Sequence, residues 1–218
     1  MKETNFKESF VGVIPQDWEV SKIGNHILGF EAGVSVNSSE GSIGHSNVFV
    51  LKTSAIRNGK LNICEKKEVL YNEINRVKCP LRKGRLLVSR MNTPELVGEC
   101  CFVEIDADNI FLPDRLWQSL PQKKKTLDEL WLSYLLSTPS YRSTIKELGT
   151  GTSNSMKNIS QEAFLNISIP FPPLEEQQRI ATALQDIDSL IATLNKLIAK
   201  KNLSSKAQCS NCSQVKQD

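Results

Sequence analysis

The alternation of apolar and polar positions changes character near residue 170. Up to that point apolar residues fall in short β-prone runs broken by Gly, Asn and Ser: Val48 to Leu51, Leu61 to Ile63, Arg85 to Val88, Glu99 to Ile105 and Asn166 to Ile169. Short strands with frequent turns predict a mixed, largely antiparallel sheet. Thr126 to Ser137 has a helical period instead: Leu127, Leu130, Trp131, Tyr134 and Leu135 follow the capping residues Thr126 and Asp128, and Pro139 ends the run. A second short helix is predicted over Ser140 to Leu148, stopped by Gly149.

Beyond Ile169-Pro170-Phe171-Pro172-Pro173-Leu174 the prolines set an extended approach and then a helix start. Glu175 and Glu176 suit the positive end of the helix dipole, and Lys196, Lys200 and Lys201 the negative end. Ile180, Leu184, Ile187, Ile191, Leu194 and Ile198 step alternately by four and three, a heptad seam that Ala183, Leu190 and Leu197 widen. A helix from Leu174 to Leu203 would be about 45 Å long at ~1.5 Å per residue. Such a helix projects past a domain of this size and predicts pairing with another helix; the alternative is a helix lying on its own domain. The expected fold class is α+β. A mixed, largely antiparallel sheet domain with short helices (1–170) precedes one long coiled-coil-forming helix (171–203) and a frayed tail (204–218).

Composition narrows the function classes. Twenty-seven Lys and Arg against 24 Asp and Glu leave a net charge of +3, which neither announces nor excludes nucleic acid. No apolar run approaches the ~18 residues of a membrane span, and a cytoplasmic protein without membrane partners is expected. Six cysteines without regular spacing read as reduced thiols. Cys209-Ser210-Asn211-Cys212 has no second ligand pair for zinc, so no metal is expected.

Catalytic constellations are missing. His26 and His45 are the two histidines, and neither stands in H-E-x-x-H or beside G-x-S-x-G. Gly149-Thr150-Gly151 lacks the third glycine of a dinucleotide loop, and Gly59-Lys60 has Ser54 where a P-loop needs its first glycine. Phe171-Pro172-Pro173-Leu174 lacks the polar residue with which an amino-methyltransferase holds its target amine, and Pro113-Asp114 has no Glu-x-Lys after it. The chain is therefore expected not to be an enzyme.

A nucleic-acid face has more support. Arg76, Lys78, Arg82, Lys83, Arg85 and Arg90 make six of fifteen residues basic with none acidic. Ser89, Arg90 and Asn92 then offer side chains shaped for base edges. A second polar loop, Gly149 to Asn158, offers Thr152, Ser153, Asn154 and Lys157 for backbone contacts. Each loop taken alone also reads as an ordinary solvated loop.

Three stretches together resemble the specificity (S) subunits of type I restriction-modification enzymes. They are Ile14-Pro15-Gln16-Asp17-Trp18-Glu19-Val20 with Lys22-Ile23-Gly24, Gly149 to Ser153 through Asn158-Ile159-Ser160, and Ile167 to Ile180 with its Ile-Pro-Phe-Pro-Pro-Leu-Glu-Glu-Gln-Gln-Arg-Ile. One departure is Arg85 after Gly84, where the family commonly has Asp. The resemblance, over residues 11 to 202, implies a non-catalytic subunit whose target recognition domain reads half of a bipartite DNA site. Its helix would serve as spacer and dock for methyltransferase (M) subunits, which bind S-adenosylmethionine and methylate adenine; this chain itself would hold no cofactor. In systems that also restrict, a restriction (R) subunit joins them. One recognition domain and one helix imply a half-length form, a homodimer through the helix. An interaction protein that sequesters a partner through the same helix without reading DNA is the alternative.

The resemblance stops after Lys201-Asn202. Codons that encode Ser204 to Gln217 can, one nucleotide earlier, read Ile-Lys-Gln-Gly-Ala-Met-Gln-Gln-Leu-Leu-Thr-Gly-Lys-Thr, which looks like the family's helix end. A frameshift near codons 202 to 203 is therefore expected, and the gene sequence checks it.

Overall fold

A computed structural model of the chain describes residues 5–40, 46–151 and 155–214, with the side chains of the last helix described as far as Asn202. The chain forms two compact units, Met1–Gln178 and Arg179–Asp218. The first opens with the hairpin β1 (Phe6–Ser9) and β2 (Gly12–Pro15). Next come β3 (Glu19–Lys22), β4 (Ile27–Ala32), β5 (Ser38–Ser39), β6 (Phe49–Leu51), the small hairpin β7 (Ile56–Arg57) and β8 (Lys60–Leu61), and β9 (Lys66–Val69). A 3-10 segment, Tyr71–Arg76, leads to β10 (Pro80–Leu81), β11 (Leu86–Ser89), β12 (Met91–Asn92), β13 (Cys100–Phe102), β14 (Ala107–Phe111) and β15 (Leu116–Pro121). Helices α1 (Glu129–Leu136) and α2 (Pro139–Glu147), strand β16 (Lys157–Asn158), helix α3 (Gln161–Leu165) and strand β17 (Ser168–Phe171) complete it, and helix α4 (Leu174–Gln214) begins in the first unit and makes up the second.

Two sheets carry the first unit. One runs β10-β14-β6-β9-β5, with β14 and β6 parallel and its other pairs antiparallel; the other runs β13-β11-β15-β4 and is antiparallel throughout. The expected mixed, largely antiparallel α+β architecture is what the chain adopts. Leu51, Leu81 and Ile110 from the first sheet and Leu87, Cys101 and Leu116 from the second belong to one buried apolar cluster. Successive strand residues face opposite ways, so Leu86 and Val88 point away from that cluster, toward the face on which α1 packs with Leu132 and Leu136. Both faces of β11 are thus covered, which is why its apolar run is continuous and not alternating.

Most of the strands fall outside the runs read from the sequence, β4 and β15 among them, and β15 shows why. Leu116 to Ser119 are all buried although two are polar. Gln118 Nε2 donates to Glu31 Oε1 at 3.1 Å and Pro80 O at 3.2 Å, while its Oε1 accepts from Arg82 N at 2.9 Å. Only neighbouring strands make that glutamine tolerable in a core. Helix boundaries also shift. Asp128, not Thr126, caps α1 by accepting from Trp131 N at 2.9 Å, and Pro139 occupies the first turn of α2 as well as ending α1. The strand expected from Asn166 starts at Ser168, because Ser160 caps α3 and Asn166 closes it.

The backbone of α4 runs past Leu203, where the sequence reading ended it, to Gln214. No Pro or Gly stands between Leu174 and Gln214, so losing the apolar stripe does not force the helix to stop. Cys209 and Cys212 lie beyond the described side chains. Cys79, Cys100 and Cys101 are buried free thiols, and burial pushes Cys79 and Cys100 up to about 12, which makes them unreactive. Among the described residues no helix is long and apolar enough to cross a membrane, and no group of three His, Cys, Asp or Glu could hold a metal ion.

Glu129, the first residue of α1, ties helix to sheet. Its Oε2 accepts from Leu86 N at 2.6 Å and from the Ser119 hydroxyl. Burial holds its carboxyl above the ordinary value of 4.5, against the opposing pull of those hydrogen bonds and of Arg85. A carboxyl raised on folding favours the native state when protonated, and that contribution is lost as pH rises through the native value. Glu129→Gln, with Oε1 in the same place, is therefore expected to gain stability on the parent at pH 7. The gap should close as pH falls below 4.5; parallel urea titrations across that range check it.

Candidate nucleic-acid interface

β11 and β13 form a hairpin whose loop is long, Arg90 to Val97. Gly98 N donates to Ser89 O at 2.7 Å and Ser89 N to Glu99 O at 2.8 Å to close it. Within it, Thr93 O accepts from Leu96 N at 3.0 Å and Val97 N at 2.8 Å. Asn92 organises the near side: Nδ2 donates to Ser89 Oγ at 3.1 Å and Thr53 O at 3.4 Å, and Oδ1 accepts from Thr93 N at 2.9 Å. Ser89 is fully buried and Asn92 only 8% exposed. In this structure the expected base-edge groups of these two are engaged with each other and with Thr53 O and Thr93 N.

The two polar loops, distant in sequence, meet. β12 pairs antiparallel with β16, setting Met91 opposite Asn158 and Asn92 opposite Lys157. Ile159 N donates to Arg90 O at 2.9 Å, and Thr150 and Asn158 exchange two backbone hydrogen bonds at 2.9 Å. Lys157 Nζ donates to Gly151 O at 2.9 Å, leaving further donors on its ammonium. Thr152, Ser153 and Asn154 lie outside the described residues.

Arg90 stands between the loops. Its backbone N donates to Arg115 O at 3.1 Å, its guanidinium carbon lies 5.7 Å from the Trp117 ring centroid, and its Nε is buried without a partner. Arg115 is exposed, and Leu112 N, three residues before it, donates to Cys79 O at 3.0 Å, beside exposed Lys78. A chain of backbone hydrogen bonds thus gathers Lys78, Arg115, Arg90 and Lys157 at one end of the sheets. Glu95 and Asp114 are the nearby acids in these loops; hydrogen bonds from its own backbone N–H and from Thr93 hold the Glu95 carboxyl below its ordinary value. Free guanidinium and ammonium groups in such a row can neutralise phosphates, and a guanidinium held in one plane can bridge two acceptors on a base edge.

The basic stretch from Arg76 to Arg90 is not one surface. β11 lies between Arg85 and Arg90 and places them roughly 16 Å apart, at ~3.3 Å per residue. At the far end Arg82 pairs with Asp108 at 2.5 Å, and Lys83 N donates to Asp106 Oδ1 at 3.0 Å. There a cavity of about 310 Å³ is lined by His26, Lys83, Arg85, Lys125 and Glu129 among others. Arg76 is a brace: it pairs with Glu73 at 2.5 Å and reaches Ser35 O at 3.5 Å. The grouping of Arg82 and Lys83 with Arg90 is therefore corrected, because a continuous basic stretch in sequence is interrupted by a strand in space. Arg115 and Trp117 were missed; the cation-aromatic spacing of Asp114-Arg115-Leu116-Trp117 was the available signal. His26 stacks on Phe171 at 3.8 Å, and its ring nitrogens lie 2.9 Å from Thr126 Oγ1 and 2.8 Å from Ser21 Oγ.

The chain's opening and the start of α4 are joined within the first unit. β3 pairs with β17, matching Glu19 with Phe171 and Lys22 with Ser168. Trp18 Nε1 donates to Glu176 Oε2 at 3.0 Å. Gln177, fully buried, donates from Nε2 to Pro172 O at 2.8 Å and Thr126 O at 3.3 Å, and accepts from Asp128 N at 2.8 Å. These bonds explain why Trp18 and Glu176-Gln177 occur together: they anchor the first turn of the long helix.

Comparison with known proteins agrees with this architecture. Residues 15–201 match the family described as type I restriction modification DNA specificity domain. The chain is 30% identical over 207 residues to the putative type I restriction enzyme MjaX specificity subunit of Methanocaldococcus jannaschii, covering 94% of this chain and 47% of that protein. It is 32% identical over 212 residues to the MjaVIII specificity subunit of the same organism, covering 94% and 44%. The chain therefore spans less than half the length of these relatives. Its fold resembles the crystal structure of the type I restriction-modification S subunit from M. genitalium, with a TM-score of 0.54 and 19% identity over 91% of this chain and 43% of that one. With a family match over most of its length, the chain belongs to the type I restriction modification DNA specificity domain family.

Proposed function

We propose that this chain is a non-catalytic specificity subunit that reads half of a bipartite duplex DNA target and docks methyltransferase subunits, with a restriction subunit as a further partner. The observation that carries the reading is the β12–β16 pairing, which sets Arg90 and Lys157 from two remote loops on one edge, with Arg115 hydrogen-bonded beside them. S-adenosylmethionine belongs to the partner subunits. Two copies supply the two half-site readers. They pair antiparallel through α4 along Ile180, Leu184, Ile187, Leu190, Ile191, Leu194, Leu197 and Ile198. From Leu184 to Ile198 these side chains are between 36% and 58% exposed, an apolar stripe that a second helix would cover.

Methylated adenines mapped in cells carrying the complex should fall in an interrupted palindrome. Removing Lys78, Arg115 or Lys157 should weaken binding to all duplexes alike and lower the salt slope by about 1 each. A chain that binds methyltransferase but shows no salt-sensitive affinity for duplex DNA would be the interaction protein instead. The dimer has its own test. Ile187→Asp with Leu194→Asp is expected to give monomers by light scattering from a dimeric parent; a monomeric parent sinks the pairing.

A further inference from the structure

We infer that the half-site read by this domain contains a guanine recognised in the major groove by Arg90, and that Trp117 is the residue that positions the Arg90 guanidinium. The inference rests on the DNA-reading function proposed above and adds the base and the groove.

Three arginines of the first unit show what Arg90 does not do. Arg76, Arg82 and Arg142 each donate to a carboxylate, of Glu73, Asp108 and Glu99 respectively. Arg90 forms no ion pair or side-chain hydrogen bond among the described residues; its head lies over the Trp117 indole, and its Nε is buried and unpartnered. Stacking on that ring would orient the guanidinium, and no hydrogen bond among the described residues engages its terminal nitrogens.

The backbone beneath is clamped on both sides, since Arg90 N donates to Arg115 O and Arg90 O accepts from Ile159 N. Trp117 is itself held, 3% exposed and stacked 5.5 Å from Phe30. A planar fork of two donors matches O6 and N7 of guanine. Adenine sets a donor beside N7, and cytosine and thymine offer no such acceptor pair. A phosphate contact would need charge but no fixed plane.

The test uses this chain in complex with its methyltransferase subunits, on the duplex that methylation mapping defines. Each guanine of the half-site is replaced by 7-deazaguanine, which lacks N7, or by inosine, which lacks only the minor-groove amine. At one guanine, 7-deazaguanine should weaken binding roughly 5- to 150-fold, and inosine should not. Arg90→Ala should lose a similar factor on the parent duplex and cease to distinguish 7-deazaguanine. Trp117→Phe, which keeps a ring, should retain the discrimination ratio, and Trp117→Leu should lower it. Phe164→Leu, in the same aromatic cluster through Phe30, should lower the melting temperature and leave that ratio alone.

A half-site without guanine would overturn the inference. So would an Arg90→Ala variant that still discriminates, or sensitivity to inosine in place of 7-deazaguanine, which places the guanine contact at the minor-groove amine and not at O6 and N7. If Trp117→Leu leaves the ratio unchanged, the positioning role fails. The absence of salt-sensitive DNA binding would instead overturn the proposed function itself.

Discussion

Gly33→Ala is expected to destabilise the first unit by ~3 kcal/mol or more, at the upper end of what overpacking does. A Cβ at this position would lie 1.6 Å from Leu112 O and 3.1 Å from Lys78 O. Both neighbours are backbone, so no rotamer change relieves the clash. Either the end of β4 moves off the Leu112 segment or that segment moves, and Arg115 and Lys78 move with it. DNA affinity should therefore fall together with stability. Gly84→Ala is the control. Its φ is +79°, yet nothing lies within 4 Å of the added Cβ, so it carries left-handed strain alone, ~1–2 kcal/mol. Urea unfolding of the three proteins separates the cases, and a Gly33→Ala loss no larger than that of Gly84→Ala would show that the contact is not the constraint it looks to be.

The second large effect is expected at Arg142. Its Nη2 donates to Glu99 Oε1 at 2.7 Å and to Glu95 O at 3.3 Å, and Glu99 is 7% exposed. The pair pins α2 to both ends of the Glu95–Glu99 segment that closes the candidate DNA loop. Arg142→Ala leaves the Glu99 carboxylate buried, with Gly59 N at 3.4 Å as its remaining donor. Breaking one side of a buried pair costs about 3–5 kcal/mol, roughly a fifth or more of the stability of a typical domain. Most of that loss comes from the stranded charge and not from the missing contact, so adding Glu99→Gln to Arg142→Ala should recover part of it. A double-mutant cycle by chemical denaturation measures the recovery. If the double variant is no more stable than Arg142→Ala, the stranded charge is not the cause.

Part of the candidate interface was visible in the residues and part was not. Arg90 and Lys157 were picked out by type, and both stand on the shared edge. Asn92 and Ser89 were picked out by the same reasoning and are buried, because a side chain suited to a base edge suits a loop's own backbone equally well. Arg82 and Lys83 belong to a basic run that looks continuous until β11 separates its ends. Arg115 was passed over because its importance comes from Arg90 N donating to its carbonyl, a contact between segments that sequence order keeps apart.

Local rules determined several elements on their own. The prolines at 170, 172 and 173 and the period of Ile180 to Ile198 specify a long helix with one apolar stripe, since capping and side-chain periodicity act within a few turns. The helical spacing of Leu127 to Leu135 specifies α1 for the same reason, although only Asp128's bond to Trp131 N decides where it begins. Strand partners were decided by tertiary structure alone. β15 is buried on both faces with Gln118 and Ser119 inside it, a pattern that no alternation announces. It is stable because Glu31, Pro80, Arg82, Leu86 and Glu129, from other strands, loops and α1, supply the hydrogen bonds. The meeting of β12 with β16 is of the same kind. Strand pairing satisfies backbone groups across long sequence separations, so its register is stored in the assembled sheet and its neighbours and not in either segment.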